Sequence, residues 1–232
     1  MDIIIGTNAD EGISWLIPQL LDPSLWEAYR NDFDTEGPRA LFNIADKSDV
    51  TDEDTQKAHN IVEYYVGSVD NINENHTQGM FDMYTDSTFL YGTHKTIAQL
   101  VKHGVTVYHY IFTYEGEFSV TQVFGLYDIG VSHGDELGYL WDPVCGVECG
   151  GYVIGPLTGD DALLRKLMVM AWTNFAMYGN PTPPESVVLV PGGWTPVAFL
   201  PENHFLNISW PPYMDTSQEV QERMDLWDQV VG

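Results

Sequence analysis

Two short stretches of this sequence hold the residue types that nucleophilic hydrolysis needs. One is Glu11 in GTNADEG, and the other is GVSHGDE at 130–136, which places Ser132 beside His133. A serine hydroxyl is too weakly acidic to attack a carbonyl unaided. An imidazole must take its proton while a carboxylate fixes the imidazole tautomer and stabilises the imidazolium that forms. GVSHGDE satisfies the G-x-S-x-G pattern with Ser132 as nucleophile, and it equally reads as a loop presenting His133 as general base. The surroundings favour the second reading. An elbow needs an apolar strand before it and a helix of small residues after it, whereas Tyr127-Asp128-Ile129 precedes and Asp135-Glu136-Leu137 follows. Side chains of adjacent residues also diverge. The order nucleophile, acid, histidine fails too, because Ser132 follows Glu11 and has no suitable histidine downstream except His204. The reading is therefore Glu11 as acid and His133 as base, with Ser132 set aside.

Both residues need elements that bring them to the ends of strands. Ile3 to Ile5 reads as a short buried strand ending at Gly6, and Asn8 to Gly12 as a polar loop opening a helix. Helices are expected over Asp52 to Tyr65 and Asp86 to His103, with Ala58, Ile61, Val62 and Tyr65 on one face of the first and Phe89, Leu90, Ile97, Leu100 and Val101 on one face of the second. VTVYHYIFTY, Val105 to Tyr114, is rich in β-branched and aromatic residues and reads as a central strand, with His133 in the loop region after it. Asp160 is expected to cap a helix to Tyr178, with Leu163, Leu164, Leu167, Met168, Ala171 and Phe175 on its apolar side and a stop at Gly179-Asn180-Pro181. Trp194 to Phe199 and His204 to Trp210 read as short strands, and Gln218 to Val231 as a closing amphipathic helix. Strands alternating with helices imply an α/β architecture with a mostly parallel sheet, in which chemistry gathers beyond the carboxyl ends of the strands.

Composition narrows the partners. Apolar residues make up 44% of the 232, enough for a substantial core, and 34 acidic residues against 9 basic give a formal charge of −25 that repels nucleic acid and anionic membrane. No stretch approaches the roughly 20 apolar residues of a membrane span, and MDIIIGTNADEG lacks the basic and apolar regions of a signal peptide. Asn75 in NHT and Asn207 in NIS are glycosylation sequons, while Asn180 in NPT is disqualified by its proline. Cys145 and Cys149 in CGVEC are spaced to close a small disulfide loop in an oxidising compartment, with free thiols as the alternative. No further ligands follow them, so no metal site and no cofactor are expected. His59, His94, His103 and His109 read as surface or core residues on helices and the central strand, and His76 and His204 as exposed residues beside the sequons.

GTNADEG at 6–12, HGDE at 133–136 and WTNFAMYGNPTP at 172–183, together with VYHYIFTY before the histidine loop and the tryptophan strands after it, resemble the carboxyl-terminal part of the type-B carboxylesterase and cholinesterase family. The likeness is greatest to arthropod carboxylesterases of the juvenile-hormone-esterase kind. The resemblance covers essentially the whole chain, 1–232, as one partial domain. It implies an α/β-hydrolase fold, incomplete here, and hydrolysis of a small-molecule carboxylic ester through a Ser-Glu-His triad, with Glu11 matching the family's acid and His133 its base. Asp86 of TDSTF matches a family aspartate with a structural look. Family members are considerably longer, and their nucleophile elbow and glycine-rich oxyanion hole lie upstream of the part matched here. The expectation is that this chain supplies acid and base but no nucleophile, is inactive alone, and derives from a secreted parent whose leader is not in this stretch. Two other readings stay open: a non-catalytic adhesion relative resembling neuroligins, and a truncated inactive paralogue.

Overall fold

The computed structural model describes residues 2–141, 156–184, 190–197 and 204–231. In chain order the main elements are β1 (Asp2–Asn8), α1 (Ile13–Leu21), α2 (Ser24–Asn31), α3 (Phe33–Phe42), α4 (Asp52–Val66) and α5 (Thr77–Thr85). A π-helical segment, Asp86–Leu90, leads into α6 (Tyr91–Lys102), followed by β2 (Thr106–Phe112), α7 (Leu137–Leu140), α8 (Gly159–Tyr178), β3 (His204–Ile208), β4 (Tyr213–Thr216) and α9 (Gln218–Val231). The chain groups into two compact units, Met1–Ala9 with Lys95–Gln218 and Asp10–His94 with Glu219–Gly232.

The first unit is built on a sheet of order β1-β2-β3-β4. β1, β2 and β3 are parallel, with Asn8 opposite Phe112 and Phe112 opposite Ile208, and β4 turns back antiparallel on β3. In β2, Val107 and Phe112 are fully buried and Tyr108 and Ile111 nearly so, because a central parallel strand is covered on both faces. That burial is the reason its run is dominated by β-branched and aromatic residues. Tyr108, Phe112, Leu206 and Ile208 share a core with Leu164, Leu167, Met168 and Ala171 of α8. The expected mostly parallel α/β sheet flanked by helices is present, with the antiparallel β4 as an addition.

Several expected boundaries change. α8 starts at Gly159 with Thr158 as its N-cap, so Asp160 sits in the first turn and does not cap it, and Leu163 is 51% exposed, outside the buried stripe. Trp194 is not in a strand. Its backbone N–H donates to Thr182 Oγ1 at 2.8 Å and its indole Nε1–H to the His109 carbonyl at 3.1 Å, so a buried aromatic anchor takes the place of a sheet ladder. Residues 195–197 are not in a strand either, and the last two of the expected strand, 198–199, lie outside the described residues, as do both cysteines, Cys145 and Cys149.

The second unit is helical. α4 packs against α3 and α5, and α1 against α5. α4 opens with a reciprocal capping box, Thr51 N–H donating to Asp54 Oδ2 at 3.0 Å and Asp54 N–H to Thr51 Oγ1 at 3.2 Å. The core holds Ile13, Leu16, Trp26, Phe33, Ile61, Val62, Met80, Met83 and Trp227, each at most 2% exposed. The helix expected from Asp86 begins a full element earlier, at Thr77, and passes through the π-helical segment.

Candidate active site

Glu11 belongs to the second unit and His133 to the first. Glu11 is 5% exposed, in the tight turn between β1 and α1, where its carbonyl accepts the Ser14 N–H at 3.2 Å. The turn is seated on α5: the Gly12 N–H donates to Thr85 Oγ1 at 2.9 Å inside the unit. A Cβ on Gly12 would come within 2.2 Å of the Phe81 carbonyl oxygen and 2.9 Å of the Thr85 nitrogen. The acid's neighbour therefore has to be glycine for the backbone to approach the helix this closely. On the other side, Gln78 Nε2 of α5 donates to Asp10 Oδ1 at 2.8 Å and to Asp82 Oδ1 at 3.1 Å.

α5 is fixed in turn by a buried ionic network. Asp86, 0% exposed, pairs with Arg223 of α9, whose Nε lies 2.9 Å from Asp86 Oδ2 and whose Nη2 donates to Asp86 Oδ1 at 3.0 Å. Arg223 Nη1 also lies 3.4 Å from Asp82 Oδ1. The Tyr65 hydroxyl donates to Asp86 Oδ2 at 2.5 Å and accepts the Trp227 Nε1–H at 2.9 Å. Burial pushes the Asp86 carboxyl up to about 7, against the opposing pull of Arg223 and Tyr65, and burial also raises Asp82. Every group Asp86 meets here holds helices together, so its work in the unit is structural.

His133 is exposed in the turn 133–136 that precedes α7. Gly134, directly after it, has φ +87°, a left-handed backbone that side-chain-bearing residues adopt only under strain. Asp135, 3% exposed, organises the loop: its Oδ2 accepts the Ser132 N–H at 2.8 Å, and its Oδ1 accepts the Val120 N–H at 2.7 Å and the Ser119 hydroxyl at 3.2 Å. Burial pushes the Asp135 carboxyl up to about 6 although the bonds from Val120 and Ser132 pull it down. From β1, Asn8 Nδ2 donates to the Ser132 carbonyl at 2.7 Å and to Glu136 Oε2 at 2.6 Å. Farther along, the Tyr139 hydroxyl donates to Asp161 Oδ1 at 2.6 Å, tying α7 to the first turn of α8, where the Tyr114 hydroxyl reaches Asp161 Oδ2 at 3.1 Å.

Ser132 is 1% exposed and is followed by a turn, with no strand-to-helix elbow around it. Sequence reasoning named Glu11 and His133 but passed over Asn8, Thr85 and Asp161. Asn8 stands inside the quoted GTNADEG, yet its partners are 124 and 128 residues away and leave no local signal. Of the two sequons, Asn75 is exposed in a turn. Asn207 lies in β3, with its Nδ2 donating to the Tyr213 hydroxyl and to Asp215 Oδ2, both at 3.0 Å. Among the described residues no cluster of three or more His, Cys, Asp or Glu could hold a metal ion, and no helix is long and apolar enough to cross a membrane.

Comparison with known proteins supplies the context for these two loops. The model of the carboxylesterase family matches residues 1–227. Juvenile hormone esterase of Tribolium castaneum is 30% identical over 194 residues, covering 79% of this chain and 32% of that protein. Bile salt-activated lipase of Bos taurus is 27% identical over 182 residues, covering 71% of this chain and 28% of that protein. The chain thus spans about a third or less of the length of these relatives (32% and 28%). The crystal structure of juvenile hormone esterase from Manduca sexta, with OTFP covalently attached, superposes with a TM-score of 0.71 at 22% identity, over 99% of this chain and 41% of that one. The shared fold is that of the α/β hydrolases, of which this chain carries a part.

Proposed function

Because the chain belongs to the carboxylesterase family, we propose that it forms part of an enzyme that hydrolyses carboxylic esters by a Ser-Glu-His mechanism, with His133 as general base and Glu11 as the supporting acid. The observation that carries the reading is the construction of the two loops. Each candidate residue sits in a turn held by buried hydrogen bonds from a neighbouring element: Gly12 N–H on Thr85 for the acid, and Asp135 and Asn8 on the Ser132 peptide for the base. Catalytic groups act best when their positions are fixed before substrate arrives.

In this proposal His133 takes the proton from a serine hydroxyl as that oxygen attacks the ester carbonyl. It then returns the proton to the departing alcohol and repeats the sequence with water to release the acid. Glu11 stays ionised, holding the imidazole tautomer and balancing the imidazolium. The nucleophile is assigned to sequence outside these residues, since Ser132 is buried with its peptide engaged on both sides. The substrate is a small-molecule ester, as the names of both relatives suggest. The parent is a secreted glycoprotein, with the exposed Asn75 the better placed of its two acceptors.

The test is turnover of a short-chain nitrophenyl ester by the polypeptide encoded by the complete transcript, alongside its Glu11→Gln variant. The expected result is a loss of about 10⁴-fold in kcat for the variant, the scale seen when the acid of such a triad is neutralised. Turnover within a few fold of the parent would remove Glu11 from the mechanism. A parent that hydrolyses no ester and carries an altered elbow would instead support the adhesion reading.

A further inference from the structure

We propose that Asn8 is a positioning residue for His133, clamping both ends of the turn that presents the base. The inference rests on the ester-hydrolase reading above and concerns only the first unit. Asn8 is the last residue of β1, 1% exposed, and β1 is registered on β2 along its whole length, from Asp2 opposite Thr106 to Asn8 opposite Phe112. Its Cα is therefore fixed by the sheet. Its side-chain amide donates to the Ser132 carbonyl at 2.7 Å, the peptide oxygen immediately before His133, and to Glu136 Oε2 at 2.6 Å, three residues after it.

The chemistry needs an asparagine. A single Nδ2 carries two hydrogens on a short stem, so it can serve two acceptors at once. A serine would offer one hydrogen from a stem one bond shorter, and an ionised aspartate none. Aspartate would also set a second carboxylate against Glu136. The Ser132 peptide is gripped from both sides, its N–H by Asp135 Oδ2 at 2.8 Å and its carbonyl by Asn8, so the backbone entering His133 cannot swing without breaking a buried bond. The second bond, to an acidic group, holds the exit of the same turn. One side chain at the end of a strand thus sets where the base's Cα stands, three residues before the chain reaches Glu11.

The experiment uses the complete polypeptide and a short-chain nitrophenyl ester, with kcat, KM and thermal midpoint measured for Asn8→Asp, Asn8→Asp/Glu136→Gln and His133→Ala. Asn8→Asp is expected to lower kcat on the order of 100-fold, as a displacement of about 1 Å in a reacting group does, while leaving KM nearly unchanged. In the double variant the polarity of the second bond is reversed, the amide introduced at position 136 donating to the carboxylate introduced at position 8, and about tenfold of the loss should return. Wild-type kcat in Asn8→Asp, a rise in KM in place of the fall in kcat, or no recovery in the double variant would overturn the proposal. If Asn8→Asp does not accumulate as folded protein, Asn8→Ser carries the test: it adds no charge and its single donor stands on a shorter stem, so a fall in kcat is expected and wild-type kcat overturns the clamp. Full activity in His133→Ala would sink the reading of His133 itself. An inactive His133→Ala beside an unimpaired Asn8→Asp would sink the clamp alone.

Discussion

Arg223→Met isolates the energetics of the network beneath the acid's turn. The substitution keeps a side chain of similar length while removing the guanidinium that meets Asp86 at 2.9 and 3.0 Å and Asp82 at 3.4 Å. Asp86 is 0% exposed, so its carboxylate would be left buried without a counter-charge, a change that costs about 3–5 kcal/mol. The cost depends on pH in a definite direction. Burial already holds the Asp86 carboxyl up near 7 while Arg223 pulls it down, so losing Arg223 raises it further. A carboxyl raised in the folded state contributes stability that is complete below its unfolded value near 4 and is lost as pH rises through the folded value. At about pH 5 Asp86 is protonated in both proteins and the deficit should be small; above about pH 7 the wild-type carboxyl ionises against Arg223 while the variant's stays protonated, so the deficit should grow by about 1.4 kcal/mol per pH unit and be clearly larger at about pH 8. Urea unfolding followed by circular dichroism at the two pH values reads this difference. Adding Asp86→Asn should recover most of the loss at the higher pH. A deficit of equal size at both pH values, or no recovery in the double variant, would show that the pair does not work as described.

Gly12→Ala should drive the acid's turn off α5, because the new Cβ would lie 2.2 Å from the Phe81 carbonyl oxygen, and ester turnover by the complete polypeptide should fall on the order of 100-fold. Turnover within about twofold would show that the close approach is dispensable. Burial holds the Asp135 carboxyl up at about 6, so the wild type should lose part of its stability as pH rises from about 4 to 6, and Asp135→Asn should flatten that part of the profile. An unchanged slope in thermal unfolding would contradict the assignment. Glycosidase treatment of the secreted parent should shift its mass, and Asn75→Gln should abolish the shift while Asn207→Gln leaves it, since the Asn207 amide is bonded within β3. A shift that survives Asn75→Gln would reverse the order of the two acceptors.

How far the sequence revealed the fold follows from where each element's hydrogen bonds and burial come from. β2 and α4 were legible because their own residues carry the pattern: an aromatic and β-branched run for a strand covered on both faces, and Ala58, Ile61 and Val62 on one helical stripe. β4 was not, because YMDT is a four-residue antiparallel return whose exposure runs from partial to full, without alternation to read. α1 opens after the Asn8–Gly12 loop as expected, despite Pro18, whereas α3 contains Pro38, which locally argues against helix, and its tertiary packing overrides that preference. Trp194 misled for a related reason: its composition suits a strand, but Thr182 and His109 take the hydrogen bonds a ladder would use. In the two loops, Glu11 and His133 were legible as motif residues. The residues that hold them were not. Asp135 sits in the same motif as His133, yet it acts on Ser119 and Val120, and the role of Asn8 exists only once β1 is laid beside the loop of Ser132.

Everything proposed for the two loops turns on His133 acting as the general base of ester hydrolysis. The decisive measurement is the turnover of a nitrophenyl ester by His133→Ala in the complete polypeptide, with and without added imidazole. The expected result is a fall in kcat of about 10⁴-fold or more, partly restored by imidazole entering the vacated space. Hydrolysis within tenfold of the parent (roughly 1.4 kcal/mol in barrier height), or a loss that imidazole does not touch, would contradict it.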